Sequence, residues 1–174
     1  TNPIHKGTLY NVGFEYPGHT EYLAAKAKGP RAVMMLACDE LRVVPVTTHL
    51  SLEKAIKALN TDDIVEVTKI TAGALQTDFG INNPHLMISA LNPHGGENGA
   101  LGREELEIIL PAVNQLKLEG HSISGPAPAD TLFHPRARGA YDAVICMYHD
   151  QALIPLKTIN FSSGVNITMG LPFV

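Results

Sequence analysis

Leu86-Met87-Ile88-Ser89-Ala90-Leu91 runs straight into Asn92-Pro93-His94-Gly95-Gly96-Glu97-Asn98-Gly99-Ala100-Leu101-Gly102, and beyond it Leu106, Ile109, Leu110, Val113 and Leu116 recur at helical spacing. The first run is short, apolar and bounded by Pro84 and Pro93, which reads as a strand covered on both faces. The last reads as an amphipathic helix, with Glu104 and Glu105 in a first turn where negative charge complements the helix dipole. Strand, glycine-rich loop and helix in that order form one unit of an α/β fold. The loop at a strand's carboxyl end is where such folds keep their chemistry. His94 stands in that loop, although a single histidine there is more often a turn or capping residue than a ligand.

Two other stretches repeat the arrangement. Val43-Val44-Pro45-Val46-Thr47-Thr48-His49 and Ala143-Val144-Ile145-Cys146-Met147-Tyr148-His149-Asp150 each end an apolar run in a histidine. Parallel strands place their carboxyl ends on one sheet edge, so His49, His94 and His149 can converge although they lie 45 and 55 residues apart. Three neutral imidazoles suit Zn, Co, Ni or Fe and leave coordination positions open to a substrate.

Composition narrows the classes. The 174 residues, 45% apolar and 17% charged, are enough for one globular domain with a sizeable core. A net charge of −4 without a lysine or arginine run argues against a nucleic-acid or anionic-membrane surface. No apolar run approaches the ~20 residues of a membrane helix, and no charged segment leads into an apolar one as in a signal peptide. A cytoplasmic protein is predicted. Cys38 and Cys146 lie in or beside apolar runs without metal-site spacing, which predicts two buried thiols rather than a disulfide. The start at Thr1 and the apolar finish Gly170-Leu171-Pro172-Phe173-Val174 predict a piece excised from a longer chain. No P-loop, G-x-G-x-x-G, H-E-x-x-H or G-x-S-x-G occurs.

Residues 1–17 read as an extended lead-in, and Gly18-His19-Thr20-Glu21 as the start of a short helix over 22–28. His19 and Thr20 then stand beside free backbone N–H groups that favour phosphate or carboxylate, or else are a surface histidine and an ordinary cap. Residues 31–37 and 41–47 form a hairpin bent at Cys38-Asp39-Glu40. Ser51 caps a helix to residue 59, and 62–78 forms another with Ile64, Val67, Thr71, Ala74 and Leu75 inward. Pro111 predicts a bend in the helix over 103–119. Gly125-Pro126-Ala127-Pro128-Ala129-Asp130-Thr131 is a stiff loop that presents Asp130 either as a site carboxylate or as a turn cap. Lys157 and Asn166 follow.

Gly18-His19-Thr20-Glu21, Thr47-Thr48-His49, Leu91-Asn92-Pro93-His94-Gly95-Gly96-Glu97, Gly125-Pro126-x-Pro128-Ala129-Asp130-Thr131, Met147-Tyr148-His149-Asp150-Gln151 and Val165-Asn166-Ile167-Thr168-x-Gly170-Leu171-Pro172 together resemble the 4-hydroxythreonine-4-phosphate dehydrogenase family of pyridoxal phosphate (vitamin B6) biosynthesis. The resemblance runs from end to end, in order. It implies a three-layer α/β/α fold of the isocitrate/isopropylmalate dehydrogenase kind, without a Rossmann domain. Residues 1–174 would be the central lobe of a two-lobed chain about twice as long, with 151–174 beginning the return to the first lobe.

The resemblance also implies the chemistry. His49, His94 and His149 become ligands of a divalent metal (Zn, Co, Mg or Mn), drawn from both subunits of a homodimer. His19, Thr20, Lys157 and Asn166 hold the phosphorylated hydroxy-amino-acid substrate, and Lys157, Asp130 and Asp150 are the expected catalytic groups. The reaction would be NAD- or NADP-dependent oxidation of 4-phosphooxy-L-threonine, followed by decarboxylation to 3-amino-2-oxopropyl phosphate; no nicotinamide-binding residue is assigned. Relatives sharing the motifs act on threonate or erythronate phosphate. A metal-assisted hydrolase and a catalytically silent metal-binding fragment are the readings from other classes.

Overall fold

A computed structural model describes residues 5–11, 13–16, 22, 24–26 and 31–171; the His19-Thr20 turn lies outside them. In chain order the helices are α1 (Lys6–Asn11), α2 (Leu52–Ala58), α3 (Thr61–Thr77), α4 (Leu110–Leu118), α5 (Pro135–Arg138) and α6 (His149–Ile159). The strands are β1 (Val33–Cys38), β2 (Leu41–Thr47), β3 (Leu86–Ser89), β4 (Ile123–Ala127), β5 (Ala143–Tyr148) and β6 (Val165–Met169). They make one mixed sheet ordered β4-β3-β5-β2-β1-β6. The four strands from β4 to β2 are mutually parallel, and β1 runs antiparallel between β2 and β6. The expected hairpin is there: Cys38 pairs with Leu41, leaving Asp39 and Glu40 as its turn.

Period-2 alternation divides each central strand between two cores. On β5, Ala143, Ile145 and Met147 enter one core while Val144 and Cys146 enter the other, all essentially buried. The first core is closed by Ile64, Val67 and Leu75 of α3 with Ala112, Val113 and Leu116 of α4. The second is closed by Ala152, Leu153 and Leu156 of α6, with Leu132. A sheet apolar on both faces must be covered twice, and the result is the three-layer α/β/α architecture. The long helix α3 starts at Thr61, one residue before the expected 62, where the Asn60 side chain caps it by accepting from the Asp63 amide at 2.8 Å.

Two local expectations are corrected. Residues 6–11 are helical rather than extended, with the His5 imidazole accepting from the Thr8 amide at 3.2 Å at the helix start. Ser51 occupies the N-cap of α2 without making a side-chain cap bond. Beside Pro111, where a bend is expected, the helix has a widened turn over Glu105–Ile109 in which the Leu110 amide donates to the Glu105 carbonyl five residues back, a feature at which helices kink. Pro111, which has no N–H to donate, directly follows that turn. Among the described residues no helix is long and apolar enough to cross a membrane.

Candidate functional site

The adjacent parallel strands β3, β5 and β2 end on the same edge of the sheet, and buried hydrogen bonds tie those ends together. The Thr47 hydroxyl donates to the Met147 carbonyl at 2.9 Å, joining β2 to β5. Gln151, 7% exposed, joins β5 to β3: its side-chain oxygen accepts from the Met147 amide at 2.7 Å, and its amide donates to the Ala90 carbonyl at 2.7 Å. The Ala90 amide in turn donates to the carbonyl of Ala127, the last residue of β4, at 2.8 Å. Each predicted histidine therefore leaves a fixed platform.

His49 and His149 come together. Thr47 pairs with Tyr148. His49 follows β2 in left-handed conformation at φ +54°, and His149 opens α6. Their ring centroids are 6.3 Å apart. The Asp150 carboxylate lies 2.7 Å from His149 Nδ1. An ionised carboxylate only accepts, so Nδ1 carries the proton and Nε2 keeps the lone pair that a metal would use. An open cavity of about 230 Å³ is lined by Thr47, His49, Leu50, Leu52, Ala55, Tyr148, His149 and Asp150. Two imidazoles and an orienting carboxylate around a cavity fit a divalent-metal donor set. With metal–nitrogen bonds of ~2.1 Å, tetrahedral coordination would put the centroids roughly 5 Å apart, so the rings would have to close by about 1 Å.

His94 is presented by an unusual turn. His94, Gly95, Gly96, Glu97 and Asn98 all have positive φ (+54°, +66°, +77°, +42° and +55°), a left-handed winding in which three residues are not glycine. Left-handed backbone costs an L-residue about 1–2 kcal/mol. The stem of the turn is held from the side by Glu105, 4% exposed, whose carboxylate accepts from the Leu91 amide at 2.8 Å, the Asn92 amide at 2.7 Å and the Asn92 side-chain amide at 2.9 Å. The same Asn92 amide reaches Glu104 at 2.7 Å and holds its carboxyl below the usual range. Gly96 is required beside this carboxylate, because an added Cβ would lie 2.6 Å from a Glu105 oxygen. The His94 side chain is 70% exposed, with Nδ1 3.2 Å from Glu97, and it does not line the cavity.

Among the described residues no three His, Cys, Asp or Glu side chains gather closely enough within this chain to hold a metal ion. Asp130 is exposed in a short turn after β4, on the side of the His94 turn, where Pro128 lies against Gly95. Lys157 sits eight residues along α6 from His149, ~12 Å by helical rise, beneath the Phe161 ring at 5.9 Å. Asn166 pairs with Leu36, itself paired with Val43, so it lies level with a rung well short of the edge where β2 ends. This chain thus brings His49, His149 and Asp150 together, but not Lys157 or Asn166 with them; His19 and Thr20 lie outside the described residues.

Glu105, Gln151 and Thr47 carry the site without having been singled out from sequence. Gln151 closes the Met147-Tyr148-His149-Asp150-Gln151 motif, and that position was its only signal. Glu105 read as one of two first-turn carboxylates that complement the helix dipole, whereas its side chain is buried against the amides of Leu91 and Asn92.

A doubly covered α/β sheet with paired histidines beyond the carboxyl ends of its parallel strands is the layout of a sheet-edge enzyme. The family model of the pyridoxal phosphate biosynthetic protein PdxA matches residues 1–174, and the chain belongs to that family. It is 57% identical to the 4-hydroxythreonine-4-phosphate dehydrogenase of Caulobacter vibrioides over 182 residues, covering all of this chain and 54% of that protein. The crystal structure of the Klebsiella pneumoniae enzyme of the same name superposes with a TM-score of 0.91 at 41% identity, over 99% of this chain and 52% of that one. A terephthalate 1,2-cis-dihydrodiol dehydrogenase from Burkholderia xenovorans superposes with a TM-score of 0.80 at 29% identity, over 88% of this chain and 49% of that one. The chain spans about half the length of these relatives.

Proposed function

We propose that this segment is the metal- and substrate-carrying central lobe of an NAD- or NADP-dependent dehydrogenase that oxidises 4-phosphooxy-L-threonine in pyridoxal phosphate biosynthesis. The observation that carries the proposal is the His49–His149 pair with Asp150 behind it, at the edge where two adjacent parallel strands end. A divalent metal (Zn, Co, Mg or Mn) would be held by His49, His149 and His94, with the site completed across a homodimer. Such an ion supplies Lewis acidity that lowers the pKa of the substrate hydroxyl.

The chain's own residues do the rest. Asp150 orients His149 and fixes its tautomer. A bound nicotinamide would supply the hydride acceptor; the protein's part is a base that takes the hydroxyl proton, and the β-keto acid so formed would lose carbon dioxide to give 3-amino-2-oxopropyl phosphate. Lys157, Asp130 and Asp150 are the candidates for proton transfer. The phosphate falls to His19, Thr20, Lys157 and Asn166, and the distance of Lys157 and Asn166 from the His49–His149 pair within one chain favours a site built from two subunits. The nicotinamide would be bound largely by the remaining half of the full-length protein, which we place in the cytoplasm.

The terephthalate-derived diol named for the Burkholderia xenovorans relative favours one second reading, a dehydrogenase of another hydroxy acid on the same platform. The test is NADH formation by the full-length protein. The proposal expects turnover of 4-phosphooxy-L-threonine, its loss with a chelator and its return with added Co²⁺. Chelator-resistant turnover, or turnover only of acids lacking the phosphate or the amine, would overturn it.

A further inference from the structure

The left-handed turn over 94–98 needs something to hold it, since three residues without glycine's freedom occupy a strained region together. We infer that Glu105 is the positioning residue that does so, setting His94 for the metal through the stem of the turn. This rests on the reading of His94 as a ligand. The carboxylate is buried and takes three donors from Leu91 and Asn92, the residues that lead into the turn. Charge-assisted bonds of 2.7–2.9 Å are the strong kind. Two of the three come from backbone amides, so they fix the direction in which the chain leaves Leu91.

Two further features belong to the same device. The widened turn over Glu105–Ile109 precedes Pro111, and Glu105 at its start is buried while the neighbouring Leu106 and Glu107 are exposed; such widened turns recur at functional sites. Gly96 leaves space for the carboxylate inside the turn itself, as the 2.6 Å approach of an added Cβ shows. His94 and Glu105 are therefore two ends of one rigid piece. Glu105 touches no reacting atom and acts only through His94.

The test uses the full-length protein and Co²⁺ alone, followed by titration calorimetry, with thermal unfolding in parallel. Glu105→Gln keeps the shape, but its side-chain amide meets the Asn92 amide donor to donor and its neutral oxygen accepts less strongly. The expected result is a folded protein whose Co²⁺ affinity falls by about 10–100-fold, the usual loss for a residue behind a ligand. In a His94→Ala background the same substitution should cause no further fall, because its effect passes through His94. Unchanged affinity in Glu105→Gln, or an equal fall in both backgrounds, overturns the inference. A His94→Ala protein that binds Co²⁺ like the parent would instead overturn the reading of His94 as a ligand. If Glu105→Gln does not fold, Asn92→Ala removes one donor of the latch and enters the same cycle with the same criteria.

Discussion

The imidazoles of His49 and His149 stand 6.3 Å apart because Thr47 and Tyr148 share a rung of the sheet, so each histidine leaves its strand at the same level. Neither strand could slip by one residue without sending buried side chains such as Ile145 and Cys146 to the wrong core. The packing of the sheet and the pairing of the histidines are one constraint.

Gln151→Ala should destabilise the protein by about 1–3 kcal/mol, since it leaves the Met147 amide and the Ala90 carbonyl buried without their partner. A urea midpoint that falls at constant slope is the expected reading. Gln151→Glu should not rescue it, because an ionised carboxylate cannot donate to Ala90.

Acid should loosen the stem of the His94 turn. The Asn92 amide, its principal cause, holds the Glu104 carboxyl below the ordinary 4.5. A carboxyl lowered in the folded state contributes stability above its unfolded value, and that contribution is lost as pH falls through the folded value. Stability measured from pH 6 downward should therefore begin to decline near 4.5, and Asn92→Ala should show a shallower decline over that range.

Much of the architecture can be read from apolar periodicity. The Asp39-Glu40 turn interrupts two β-rich runs, and Ile64, Val67 and Leu75 mark the buried face of α3, because burial is what such patterns encode. The strand-end histidines are legible for the same reason. The handedness of the His94 turn is not: glycines permit positive φ without requiring it, and His94, Glu97 and Asn98 adopt it against their own preference. Glu105 falls on the buried stripe of its helix with Ile109 and Val113, but what makes a carboxylate tolerable there is the pair of amides of Leu91 and Asn92, 13 or 14 residues earlier. Periodicity cannot report such a partnership.

Burial pushes the Cys146 thiol far above its ordinary value, and a thiol is reactive only as thiolate. Ellman's reagent should therefore titrate at most one of the two cysteines, Cys38, in the native protein, and both after denaturation; two reactive thiols under native conditions would contradict the buried position.

Substrate choice should depend on Asp130 if its carboxylate faces the substrate amine. Asp130→Asn should then lower kcat/KM for 4-phosphooxy-L-threonine by about 1–3 kcal/mol more than for its hydroxy analogue, the usual worth of a charged hydrogen bond. Equal losses for the two would assign Asp130 to the metal side of the site instead.

The central claim is that His49 and His149 hold one metal ion between them, and calorimetric titration of the metal-free full-length protein with Co²⁺ tests it most directly. The account predicts one ion per subunit, with His49→Ala and His149→Ala each weakening binding by more than the roughly 10–100-fold expected of a supporting residue, while both variants unfold near the parent's temperature. Parental Co²⁺ affinity in both variants would contradict it.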